Sequence, residues 1–337
     1  MIRAAVVLVC VVCAGGAVAQ APPIAGPLRA VLTSALRFSE GELADLQRGQ
    51  VVKHGLPSRA PGEIAVTGGV RIHAPKTTFF ARVRDIARFK SSPDVVEIGR
   101  FSNPPVLDDL AGLTVSPDDF DVRSCRVSDC GIRLPAAVIE QMASQVRGNE
   151  ADAQGRGAAL LKQFVLDRVS AYVSGANRTL QYDDGSKPIR PQEEFEAILA
   201  GMPEIDTVAP GLSEHLKSFP AARLAGAEDF LYWSKEKFGI APFITVTHVA
   251  IVCPSASICV MATRDVYASR YLDASVALAI AADASGSDAF DLVYDNRSRA
   301  NALKGGLSGL RRALAERKAR GALEESLKTI RMRVENK

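Results

Sequence analysis

The chain has few of the residues that build a catalytic or metal-binding site on local sequence spacing. Only one tryptophan and four histidines occur among 337 residues, and aromatic residues make up 6%. The histidines, His54, His73, His215 and His248, are scattered, so no metal site built on neighbouring ligands is predicted. The G-x-S-x-G, H-E-x-x-H, P-loop and dinucleotide-binding patterns are absent. The sequence therefore predicts no particular reaction and no cofactor.

A large excess of one sign of charge is also missing. The 41 basic and 38 acidic residues give a net charge of +3, which argues against nucleic acid as a partner. With 47% hydrophobic and 23% charged residues, the chain is too apolar for disorder and too charged for a protein with several membrane spans. One large folded domain or two modest ones are expected.

The segment Ser234-Lys235-Glu236-Lys237 matches S-x-x-K, the nucleophile motif of penicillin-binding enzymes. Its companion S-D-N and K-T-G motifs are absent. An exposed helix face after Trp233 is therefore the prediction for this segment.

The first residues have the pattern of a secretory signal peptide. Met1 to Arg3 supply a positive charge, Ala4 to Cys13 are apolar, and Ala17-Val18-Ala19 is a small-x-small cleavage site. We expect cleavage after Ala19, a leader with short helices over 20–60, and a periplasmic or secreted protein. A lipid anchor on Cys10 or Cys13 remains the alternative, although valine precedes each cysteine.

The remaining four cysteines indicate disulfides in an oxidising compartment. Three pairings are possible, and turn-like residues inside each close pair favour the local one, Cys125 with Cys130 and Cys253 with Cys259. Each pair is predicted to clasp a hairpin. The spacings do not fit a zinc site.

Hydrophobic periodicity predicts an order of elements. A strand begins at Glu63, a helix capped by Thr77 or Thr78 follows, and a second strand covers 95–101. A clasped hairpin over 120–134 and a helical region over about 136–240 come next, the latter including a helix through Phe230, Trp233 and Lys237. Four strands then follow from residue 243 to 296. The last element is a long helix over 303–334, predicted to kink or break near Gly321, where its apolar stripe changes face.

This order, with Ile72-His73-Ala74-Pro75 before the first helix, resembles the START-like or helix-grip superfamily of polyketide cyclases and lipid-transfer proteins. The resemblance implies an α+β fold in which a curved antiparallel sheet grips the long C-terminal helix around an apolar cavity. The domain would cover 61–335, with the helical region as an insertion. It also implies a hydrophobic small molecule or lipid as the partner.

Four residues are candidates for contacting such a ligand. If Cys253 lies opposite Cys259, the hairpin register places His248 opposite Arg264 on a face otherwise formed by apolar residues. Tyr294 and Asn296 share a face with Phe290 and Leu292 and are predicted to face the same interior. The alternatives are a rim or surface His248–Arg264 pair, and a solvated loop at 295–299.

Three functions are consistent with these features. The leading expectation is an exported protein that binds or transfers a hydrophobic ligand without covalent chemistry. The others are a cyclase or hydrolase using His248 and Tyr294 for proton transfer, and a cell-envelope protein-interaction module. Peripheral membrane contact is also expected, from a basic excess at Lys304, Arg311, Arg312, Arg317, Lys318 and Arg320.

Overall fold

The computed structural model describes residues 23–146, 152–176, 180–238, 241–285, 287–304 and 308–336. The predicted signal peptide, its cleavage site, Cys10 and Cys13 lie outside these residues. No helix in the described ranges is long and apolar enough to cross a membrane.

Two short helices precede the sheet. Helix α1 covers Gly26–Ser34 and α2 covers Glu40–Gln47. Ser39 caps α2 in a capping box, because its side chain accepts from the Glu42 amide and the Glu42 carboxylate accepts from the Ser39 amide. Strand β1, Val52–Gly55, was not predicted.

The predicted strand, helix and strand that follow are confirmed with one change. Strand β2 covers Glu63–Ile72 and β3 covers Val95–Arg100. The region between them forms two helices, α3 (Lys76–Arg84) and α4 (Ile86–Lys90), which Asp85 separates by leaving the helical backbone conformation. Neither predicted threonine caps α3, because its N-cap residue is Pro75.

Five helices are found among the described residues of the predicted helical region. They are α5 (Ala136–Val146), α6 (Ala153–Val173), α7 (Pro191–Leu199), α8 (Glu204–Val208) and α9 (Leu212–Ser218). The clasped hairpin predicted before them is wrong, since residues 120–134 form turns with a single bridge between Arg126 and Asp129.

The helix predicted through Phe230, Trp233 and Lys237 is also wrong. This region is strand β4, Glu228–Phe238. Tyr232 and Trp233 are neighbours in sequence and both are buried, in different cores, so both faces of the strand are covered. Burial on both sides removes the alternation of apolar and polar residues that identifies a half-buried strand.

The four later strands are confirmed. They are β5 (Ala241–Ser255), β6 (Ile258–Ala268), β7 (Ala274–Asp283) and β8 (Phe290–Arg299). With the earlier strands they form one antiparallel sheet in the order β1-β2-β8-β7-β6-β5-β4-β3. Strand β8 reaches Arg299, so the solvated loop considered for 295–299 is wrong.

Each face of the sheet is covered by a different set of helices. The face that carries Val246 and Val276 packs against α1, α2 and α5 to α9, and we call it the insertion face. The opposite face carries Val249 and Leu292. It packs against α3, α4 and the C-terminal helix α10, Ser308–Glu335, and we call it the α10 face.

Of the kink or break predicted near Gly321, the break is wrong, since α10 is one helix of 28 residues. Its second half packs on β2 through buried Leu323, Leu327 and Val334. Its first half leaves Leu310 and Leu314 78% and 58% exposed. The apolar stripe changes face because only the second half of α10 is buried. The helix continues through Gly321 because a single glycine costs a helix only about 1 kcal/mol.

Both predicted disulfides are present, Cys125 with Cys130 and Cys253 with Cys259. Each closes a short loop, so together they tie turns locally and leave the packing of the sheet to side-chain burial.

The packing of α10 makes a prediction for two leucines. Leu327 is fully buried against β2, so Leu327→Ala is expected to lower the free energy of unfolding by about 2–5 kcal/mol. Leu314→Ala, in the exposed half, is expected to change it by less than about 0.5 kcal/mol. Urea unfolding followed by circular dichroism measures both, and equal losses would contradict this packing.

Candidate functional site

Polar side chains line one part of the α10 face. Strand pairing aligns Asn296 with Ala277 and Ala277 with Thr263, in a row that crosses β8, β7 and β6. A neighbouring row contains Thr247 opposite Asp265. Thr263, Asp265, Asn296 and also Tyr294 are half-buried, so solvent or a ligand can reach this polar floor.

Asp265 is the carboxyl group at the centre of the polar floor. The Thr247 hydroxyl donates to its Oδ1 at 3.0 Å. Burial of the carboxyl raises the pKa of Asp265 to about 7, and the Thr247 hydrogen bond and the charge of Lys90 only partly oppose this rise. Asp265 therefore exchanges a proton near neutral pH.

Two tyrosines and an ion pair flank Asp265. Lys90 of α4 donates to Glu236 at 2.6 Å and to the Tyr232 hydroxyl at 3.4 Å. Burial opposes the charge on Lys90, but the Tyr232 hydroxyl and the Glu236 carboxylate raise its pKa. Burial raises the pKa of Tyr294, so its hydroxyl stays protonated and is a hydrogen-bond donor.

The structure divides the four predicted ligand-binding residues between the two faces. The predicted register is confirmed, with His248 directly opposite Arg264. Both are buried on the insertion face, beneath the helices of the insertion. Tyr294 and Asn296 lie on the α10 face. Tyr294 pairs with Ala279, Ala279 with Met261 and Met261 with Ile251, and directly paired residues face the same side of a sheet. Ile251 is two residues from Val249, so it faces the α10 side.

Arg264 is held by the insertion itself. It donates to the Leu216 carbonyl at 2.9 Å and to Gln192 Oε1 at 2.5 Å. Its guanidinium lies 3.7 Å from the centre of the Phe195 ring, a cation–π contact. Helices α7 and α9 thus occupy the side of Arg264 that the sequence assigned to a ligand.

His248 belongs to a chain of polar groups that the sequence did not indicate. Its Nδ1 accepts from the Tyr172 hydroxyl at 2.8 Å, and its Nε2 lies 2.9 Å from Asp229 Oδ1. His215 Nε2 lies 2.8 Å from the same oxygen. Burial lowers the pKa of His248, while hydrogen bonds from both imidazoles outweigh burial and hold the pKa of Asp229 well below its ordinary value.

The S-x-x-K residues do not form the motif's geometry. Ser234 is buried in β4 and contacts Glu236 and Thr245, both on the α10 face. Lys235 points to the insertion face and donates to Asp119 at 2.8 Å. In a strand, Ser234 and Lys237 face opposite sides of the sheet, whereas the motif needs them on one helix face.

Two cavities lie away from the polar floor. One of about 480 Å³ lies beside α5 and α6 and is lined by Ala137 and Phe164. The other, of about 620 Å³, lies near the start of α1 and is lined by Lys76 and Asp283. Neither cavity includes a residue of the polar floor, so both are separate from it.

Comparison with protein-family models, curated proteins and solved structures finds no match to this chain.

The raised pKa of Asp265 predicts a pH dependence of stability. An unfolded aspartate titrates near about 3.9, so stability is lost as pH rises from about 4 through about 7, by about 2 kcal/mol after allowance for partial exposure. Asp265→Asn is expected to remove this loss. The measurement is urea unfolding at pH 4.5 and pH 8, with exposed Asp118→Asn as the control. Parallel pH profiles for the native chain and Asp265→Asn would contradict the assignment.

Proposed function

We propose that this protein binds a hydrophobic, lipid-like molecule on the α10 face, without covalent chemistry. The observation that carries the proposal is the half-buried polar floor, which adjoins the apolar core on the same face of the sheet. A floor of this kind suits an amphipathic ligand, since polar groups orient the head and apolar side chains bury the tail.

The topology supports the same proposal. A strand, two helices, a second strand, the helices of the insertion, five further strands and a long helix follow in that order, and the first and last of these strands are neighbours in the sheet. This arrangement is similar to the START-like or helix-grip superfamily, in which the ligand lies between the sheet and the long helix. Tyr294 and Asn296 lie on the corresponding face here.

The charges of the floor favour one class of head group. Lys90 is paired with Glu236, so the floor offers no unpaired cation among the described groups around Asp265. A carboxyl that ionises near neutral pH repels a phosphate or carboxylate head. Together with the Thr247, Thr263 and Asn296 side chains, it favours an uncharged hydroxyl head or a cationic amine.

The first half of α10 supports transfer at a membrane. Exposed Leu310 and Leu314 stand beside Arg311 and Arg312, which are also exposed. Basic and apolar side chains at one exposed helix end suit peripheral contact with an anionic lipid surface. The two disulfides support an oxidising compartment, and with the signal-peptide pattern we propose a periplasmic or secreted location.

A cyclase or hydrolase that uses His248 with Tyr294 is not retained. The two side chains lie on opposite faces of the sheet, so they do not reach one substrate. No observation favours the interaction-module alternative over ligand binding.

Fluorescent long-chain alkylamine and monoacylglycerol probes test the proposal on the full chain. Asn296→Phe places a ring on the polar floor and is expected to weaken binding by about 10-fold or more, because it fills space that the ligand needs. Ala137→Phe, at the cavity beside α5 and α6, is the matched control and is expected to bind like the native chain.

Thermal unfolding of both variants establishes that they are folded. Loss of binding in Ala137→Phe with no change in Asn296→Phe would move the site to the α5 and α6 cavity. A native chain that binds neither probe would overturn the proposal.

A further inference from the structure

A cluster of metal-ligand residues lies on the insertion face, apart from the polar floor. His215 comes from α9, Asp229 from β4 and His248 from β5. One ligand atom of each lies within 4.8 Å of the others, and both histidines are buried. Among the described residues, no other group of three or more histidine, cysteine and carboxylate side chains converges in this way. We call it the histidine cluster.

The donor set suits zinc. Two imidazole nitrogens and a carboxylate oxygen are the ligands of many three-residue zinc sites, whose fourth position is left for water. The Nε2 atoms of His215 and His248 lie 2.8 and 2.9 Å from Asp229 Oδ1. Tetrahedral coordination at bond lengths near 2.1 Å separates ligand atoms by about 3.4 Å. Each of these two distances would therefore have to lengthen by only about half an ångström to admit an ion, and the three ligand atoms already lie within 4.8 Å of one another.

The opposite nitrogen of each ring has an oxygen partner. A histidine that binds metal through Nε2 carries its proton on Nδ1 and donates it to an oxygen, which fixes the orientation of the ring. His248 Nδ1 lies 2.8 Å from the Tyr172 hydroxyl, and His215 Nδ1 lies 3.1 Å from the Ala222 carbonyl oxygen. Both rings thus have the outer partner that a zinc ligand requires.

The same contacts define how the protonation of the two rings differs between the metal-free and the metal-bound state. Without metal, each Nε2 carries the proton and donates to Asp229, and the Leu224 amide donates to His215 Nδ1 at 3.1 Å. Metal binding at Nε2 moves the proton of each ring to Nδ1. The two states are therefore distinguished by which ring nitrogen is protonated.

Packing holds the rings in place and leaves one side open. The Phe219 ring lies 4.5 Å from the His248 ring and 5.6 Å from the His215 ring, measured between centres. The Asp229 side chain is 19% exposed, while the side chains of both histidines are almost fully buried. The cluster is therefore exposed to solvent only on the Asp229 side.

We propose that His215, Asp229 and His248 bind one zinc ion, with water from the Asp229 side completing the coordination. The inference does not depend on ligand binding at the α10 face, because the sheet separates the two sites.

The test uses full-length chain prepared without a histidine tag and treated with a chelator. Zinc added during calorimetry is expected to bind with one ion per chain, and cobalt is expected to give the visible absorption of a tetrahedral nitrogen and oxygen site. Nitrogen-15 NMR of the imidazoles is expected to show His215 and His248 changing from Nε2-protonated to Nδ1-protonated. Unchanged imidazole signals at saturating zinc would overturn the proposal.

Three variants separate the cluster from other histidines. Tyr172→Phe removes an outer partner and is expected to weaken zinc binding by about 10 to 100-fold, and Asp229→Asn, which removes a ligand, by about 100-fold or more. His54→Gln is the control, since His54 forms a histidine–carboxylate pair with Glu42 at 2.9 Å elsewhere. Equal affinity in all three would contradict the assignment. If Asp229→Asn does not fold, Tyr172→Phe and the native NMR spectra decide.

Discussion

The pairing of β2 with β8 is the constraint on which the rest of the structure depends. Ten residues, Glu63–Ile72, align with Phe290–Arg299, so the first long strand lies beside the last although most of the chain separates them. Helix α10 packs on the part of the sheet that this pairing forms. At Gly68 an added Cβ would lie 2.5 Å from the Val52 carbonyl and 3.2 Å from Leu323, so glycine permits the close approach of both β1 and the helix.

Covering both faces of this sheet requires buried charges to be neutralised inside the protein. Arg71 donates to Asp291 at 2.8 Å, which links β2 to β8. Arg297 lies near Glu63, Asp295 and Glu204, all buried, and burial raises the pKa of Asp295 well above its ordinary value, so this carboxyl keeps its proton. These partners meet in one register only, so the charges specify the alignment that the apolar residues stabilise.

Sequence reasoning succeeded where the signal was local. The strands after residue 241 and the close cysteine pairs are short-range patterns, and the Cys253 pair led directly to His248 opposite Arg264. Sequence reasoning failed where tertiary packing determines the local structure. Strand β4 has no alternation because both its faces are covered, and the histidine cluster joins α9, β4 and β5 with no shared spacing.

The alternation of side chains along a strand explains why one sheet can carry the two proposed sites. Thr247 faces the polar floor and His248, the next residue, faces the histidine cluster. On β6, Arg264 faces the insertion helices and the next residue, Asp265, faces the polar floor. The two proposed sites share strands, but one lies on the α10 face and the other on the insertion face, exposed on the side of Asp229. A ligand at one site affects the other only by shifting a strand that is packed on both faces, and such strands resist displacement. The two sites are therefore expected to bind their ligands independently.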